Sequence, residues 1–142
     1  MEAKELMVGD LLHLKERTIS GEHKSLVRVL SIQNKLEVMF LNGQGIAIAD
    51  YSSFEPIPLT TAILEKNGFR RMNLKDGAFE HVFADDYFDI SVDEWSDSIW
   101  RVRYDCTEMQ TPHEQITCSY VHELQHFLKK RTSEELSENF KA

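Results

Sequence analysis

Two prolines one residue apart, in Pro56-Ile57-Pro58, cut this chain into two parts that must fold separately at the secondary-structure level. Each proline fixes its own φ, lacks an N–H and pushes the preceding residue toward extended geometry, so neither a helix nor a central strand runs through the pair. The segment 54–59 therefore reads as a connector. We place the boundary there, with a small β unit over residues 1–55 and an α+β unit over 56–142.

Upstream of the prolines, short apolar runs alternate with turn signals. Residues 6–14, 26–33, 36–41 and 45–49 read as strands. Gly9-Asp10 marks the entry to the first, Ser20-Gly21-Glu22 a loop, Gln33-Asn34-Lys35 a reversal, and Asn42-Gly43 a hairpin turn. Strands at this spacing predict a small antiparallel barrel or curled sheet resembling an SH3-like fold. Downstream, Thr60 or Thr61 caps a short helix ending at Asn67, with Gly68 suited to the left-handed position after it. Strand-like runs follow over 69–74, 78–84, 87–92 and 98–104. Tyr87, Asp89 and Ser91 alternate with Phe88, Ile90 and Val92, the pattern of a sheet covered on one face. From about Pro112 to Arg131, Ile116, Tyr120, Val121, Leu124, Phe127 and Leu128 recur at helical spacing. Thr132 and Glu135 form a capping box that opens a last short helix ending near Phe140. The fold class is α+β, the second unit reading α-β-β-β-β-α with its long helix on an antiparallel sheet.

Composition enters by exclusion. With 42% hydrophobic residues the 142-residue chain can build a real core. No run approaches the roughly 20 apolar residues of a membrane span, and Met1 to Leu6 lacks the basic start and apolar run of a signal peptide. The expectation is a cytoplasmic protein with no membrane partner, in which Cys106 and Cys118 are reduced and partly buried thiols. Sixteen basic against 24 acidic residues give a formal charge of −8, which disfavours direct nucleic-acid binding. The one basic cluster, Lys129-Lys130-Arg131, suits a helix C-terminus. Asp76, Glu80, Asp85, Asp86, Asp89, Asp93, Glu94 and Asp97 follow one another with no Lys or Arg between them, as a solvated face does. They lack the spacing and glycine of a calcium loop. Trp95 and Trp100 flank an acidic turn. One of them can anchor a partner, and the strand around Trp100 favours the core for that one.

His122-Glu123-Leu124-Gln125-His126 matches the HExxH pattern of zinc peptidases, in which two histidines one turn apart share a metal and the glutamate polarises bound water. Two tests count against it. At about 100° per residue, His122 and His126 fall opposite the stripe formed by Tyr120, Val121, Leu124, Phe127 and Leu128, which turns them to solvent. A third ligand is also missing, because no histidine follows His126 and the downstream carboxylates are only Glu134, Glu135 and Glu138.

Glu5 to Asp10, Pro56-Ile57-Pro58-Leu59-Thr60 leading into residues 63–69, and Tyr120-Val121-His122-Glu123-Leu124-Gln125 occur in this order across nearly the whole chain. Together they resemble a group of small proteins of no established activity from Bacteroides-like bacteria and their prophages. The resemblance implies a bacterial or phage cytoplasmic protein and transfers no catalytic residue. It also implies that the HExxH match is incidental, since the late helix of that group often reads with Gln where this chain has Glu123 and without the second His, here His126.

The expected function is a non-catalytic protein-binding module without a cofactor, with homo-oligomerisation open. Its interaction surface is drawn from Asp85, Asp86, Asp89, Asp93, Glu94, Trp95 and Asp97. A sharper variant has the acidic sheet mimic nucleic acid. The rival is a minimal zinc hydrolase with His122 and His126 as ligands and Glu123 as catalytic base.

Overall fold

The computed structural model describes residues 1–71, 78–82, 88–106, 114–131 and 139–142. It is a mixed α+β chain with two antiparallel five-stranded sheets, neither closed into a barrel among the described residues. By contact the chain divides into two compact units. Unit 1 comprises Met1–Ile57, Gln125–Phe140 and Ala142, and unit 2 comprises Pro58–Leu124 and Lys141. The expected division was 1–55 and 56–142.

In unit 1 a 3-10 turn η1 (Ala3–Glu5) precedes β1 (Leu11–Thr18), β2 (Gly21–Ile32), β3 (Leu36–Phe40), β4 (Ile46–Ala49), a second 3-10 turn η2 (Tyr51–Ser53) and β5 (Phe54–Pro56). The sheet order is β4-β3-β2-β1-β5. Register sets its core: Leu12 lies opposite Val27, Leu14 opposite Phe54, and Val29 opposite Val38. Side chains two apart share a face, so these residues, with Leu6 and Leu36, form one buried cluster. Each such side chain contributes about 1.5–3 kcal/mol by leaving water.

Three elements depart from the expectation. The first strand begins at Leu11, because Gly9, at φ +97°, turns the chain just before it. The segment expected as a loop at Ser20-Gly21-Glu22 belongs to a long hairpin, in which Thr18 pairs with Gly21 and residues 16–24 are exposed. A polar two-stranded arm leaves no apolar alternation to read. The connector carries a strand, since β5 pairs with β1 and ends at Pro56. Proline is admissible there because an edge strand has no outer ladder to donate to.

Unit 2 opens with α1 (Thr61–Lys66). The Thr60 hydroxyl accepts from the Ile63 N–H at 3.3 Å, and Gly68 takes φ +84° just beyond the C-terminal end, as expected. Then come β6 (Arg70–Arg71), β7 (Ala78–Val82), β8 (Phe88–Ser96), β9 (Ile99–Cys106) and β10 (Glu114–Cys118), an antiparallel meander in sequence order. Trp100 is buried, donates to the Leu59 carbonyl at 3.1 Å and meets Phe79 edge-on. The helix expected from Pro112 begins only at α2 (Val121–Arg131), and residues 114–118 pair with β9 instead. Ile116 fits a helical stripe. It equally fits the two-residue alternation of Glu114, Ile116 and Cys118 against exposed Gln115 and Thr117, and the neighbouring strand decides. The expected last helix and its box, Thr132 and Glu135, lie outside the described residues.

Candidate functional site

In unit 1 the turn before β1 gathers polar side chains from distant parts of the chain. The Asp10 carboxylate accepts the Met7 N–H at 2.8 Å, and main-chain bonds from Gly9 N–H to Val29 O and from Val29 N–H to Asp10 O tie the turn to β2. Two α2 residues reach this turn. His126 Nε2 lies 2.8 Å from both Asp10 oxygens, and since a carboxylate only accepts, this nitrogen carries the proton. The Gln125 amide accepts the Leu11 N–H at 2.9 Å and donates to the Gly9 carbonyl at 3.0 Å, standing in for a neighbouring strand. Arg28 adds a donor to the same Gly9 carbonyl at 2.9 Å and a second to the Phe140 carbonyl at 3.0 Å. Asp10 and Gln125 are 2% and 1% exposed, so these bonds replace water that cannot reach them.

The two outer HExxH residues therefore do not turn to solvent. His122 is 6% exposed, with its ring stacked on Tyr120 at 6.0 Å, and His126 is largely covered. Of the expected stripe, Val121, Leu124, Phe127 and Leu128 are buried, whereas Tyr120, just before the helix, is 37% exposed. The buried arc is wider than the apolar one because Gln125 and His126 satisfy their polar atoms within the fold, which hydropathy cannot register. Glu123 has a local role too: its Oε1 accepts the N–H groups of Ser119 and Tyr120 at 3.0 and 3.1 Å. A glutamate three residues into a helix commonly reaches back this way, satisfying otherwise orphaned donors. Among the described residues no group of three or more His, Cys, Asp or Glu side chains is placed to hold a metal ion. The Cys118 thiol, 3% exposed, is pushed up to about 12 by burial and then by the Glu123 charge.

The expected interaction surface is split. Asp85, Asp86 and the side chain of Asp89 lie outside the described residues, as does the side chain of Cys106. Asp93 is not solvated: it is 5% exposed and holds Arg101, opposite it on β9, through two bonds of 3.0 and 2.7 Å. The register shift between Glu94 and Ser96 marks Trp95 as a bulged residue, and the hairpin closes through Ser98 at φ +62°. Bulges re-aim side chains. Trp95 is 60% exposed, with the Arg101 guanidinium 5.2 Å from its ring centroid, and Glu94 and Asp97 beside it in sequence are exposed. Reading the acidic residues as one run hid this arrangement, because the partner of Asp93 lies across the hairpin.

No protein-family model, curated protein or solved structure matches the chain. Among the described residues no helix is long and apolar enough to cross a membrane.

Proposed function

We propose that this chain is a non-catalytic protein-binding module of a bacterial or phage cytoplasm, and that Trp95 anchors a partner presenting basic side chains. The observation that carries the reading is the Trp95 ring, exposed at a hairpin end yet positioned by Arg101, which Asp93 in turn fixes through two bonds. An aromatic side chain already held in place loses little freedom on binding, which is why such residues dominate interfaces. Exposed Glu94 and Asp97 and the formal charge of −8 favour a cationic partner. The HExxH side chains support the absence of catalysis, since Glu123 caps a helix and His126 faces Asp10. We further read unit 1 as SH3-like, on its strand order and the 3-10 turn before the strand that returns to β1.

A photo-crosslinking amino acid at exposed position 97, in extract of the cells that naturally make the protein, tests this. The expected product is one basic protein, lost on Trp95→Ala, reduced on Arg101→Ala and weakened between about 0.1 M and about 1 M salt. Crosslinks no different from those at exposed Lys4 refute the anchor. Near-stoichiometric zinc in protein purified without a histidine tag, lost on mutating His122 or His126, would instead favour the hydrolase.

A further inference from the structure

Unit 1 has two sheet edges, and they differ. At one, β5 is only three residues long, ends in Pro56, and carries Glu55 in an ion pair with Lys24. Short length, proline and charge are the usual means by which proteins keep an edge from pairing. At the other, β4 reads Ile46-Ala47-Ile48-Ala49, with neither charge nor proline. Ile46 and Ile48 are 63% and 64% exposed, and Met39, opposite Ile46 on β3, is 40% exposed on the same face.

The hydrogen-bond phase of this edge follows from one contact. The Phe40 N–H donates to the Gly45 carbonyl at 2.9 Å, so in an antiparallel ladder residues 45, 47 and 49 bond inward to β3. The N–H and C=O groups of Ile46 and Ile48 point outward. Among the described residues, the same two residues thus offer both an unpaired main chain and an uncovered apolar side chain.

We propose that β4 pairs antiparallel with β4 of a second copy of this chain about a two-fold axis through Ala47, extending the unit 1 sheet across the dimer. The segment is its own complement in this register. Ile46 and Ile48 of one copy face Ile48 and Ile46 of the other, in pairs that exchange main-chain hydrogen bonds. Ala47 meets its counterpart in the closer, non-bonded pair, where a small side chain fits. Beyond the strand, Asp50 comes opposite Gln44, a donor for its carboxylate, and Lys35, 3.7 Å from Asp50, keeps a cation there. No like charges face each other. Shifting the register by two residues leaves a single isoleucine pair in place of two, and shifting it by one turns them to opposite faces. A four-residue strand buries far less than the roughly 1,200 Å² of a stable complex, so the dimer is weak, with a Kd on the order of 10⁻⁴ M.

Sedimentation equilibrium of the full chain up to about 1 mM tests this, together with disulfide trapping in a Cys106→Ser background. Ala47→Cys should oxidise to a covalent dimer, because non-bonded pairs bring Cα atoms to about 4.5 Å. Ala49→Cys, which faces Gly45 and whose counterpart lies four residues further along the partner strand, should not. Ile48→Lys, on an exposed face that leaves the monomer fold intact, should raise Kd at least about tenfold. A chain monomeric throughout overturns the proposal and leaves the edge to an extended segment of another protein. A dimer indifferent to Ile48→Lys, or equal trapping at positions 47 and 49, overturns it by moving the contact elsewhere.

Discussion

Replacing Gln125 by methionine keeps the shape of the side chain and removes both of its bonds to the turn before β1. The Leu11 N–H, in a residue 0% exposed, then loses its acceptor with no water to replace it, at about 1–3 kcal/mol. The Gly9 carbonyl keeps Arg28, so that side of the loss is nearer the roughly 0.5–1.5 kcal/mol of an ordinary bond. The expected destabilisation is about 1.5–4.5 kcal/mol, a large share of the roughly 5–15 kcal/mol that holds a domain folded. Urea unfolding followed by circular dichroism reads it as a lower midpoint at unchanged slope. Amide exchange at Leu11 reports on unit 1 alone and should quicken in step. A variant within about 0.5 kcal/mol of the parent, with Leu11 still protected, would refute the reasoning that this amide acts as a strand partner.

Glu123→Ala should lower stability by about 1 kcal/mol through loss of the cap on α2, and Glu123→Gln should recover most of it, as thermal melts of the two variants would show. The His13 imidazole is held below its usual range by burial, which outweighs the opposing pull of Glu55. The unfolded chain therefore takes up this proton first as pH falls, so stability declines below about pH 6.5. His13→Gln should flatten part of that decline, and an NMR titration of His13 should give a midpoint below 6.5; a midpoint above it would reverse the sign. Cys118 should resist a thiol reagent at neutral pH until the chain unfolds, since its thiol is buried and pushed up to about 12. Rapid native labelling at Cys118 would contradict its placement.

What was legible in the sequence was what short-range chemistry decides. Thr60 and Gly68 delimit α1 because a cap and a left-handed residue act within one turn. The strands of unit 1 show through alternation such as Leu36, Val38 and Phe40. β10 was missed because Ile116, four residues before Tyr120, satisfies two periodicities at once. The expected solvent face of α2 failed for a different reason. A helical wheel sorts side chains by affinity for water, and Gln125 and His126 exchange water for Gly9, Asp10 and Leu11, partners more than a hundred positions away. Asp93 looked solvated for the same cause at shorter range, its counter-ion Arg101 being set by hairpin register. Nothing local marks such pairs.

The sequence separation of these bonds bears on how the molecule is made. Gln125 meets Leu11 across 114 positions and His126 meets Asp10 across 116, while Pro58–Leu124 forms unit 2 in between. A meander of neighbouring strands closes small loops and assembles early, whereas ring closure over such a span comes late. On the ribosome α2 is synthesised after every strand of both sheets, so Asp10 and the Leu11 amide gain these partners last.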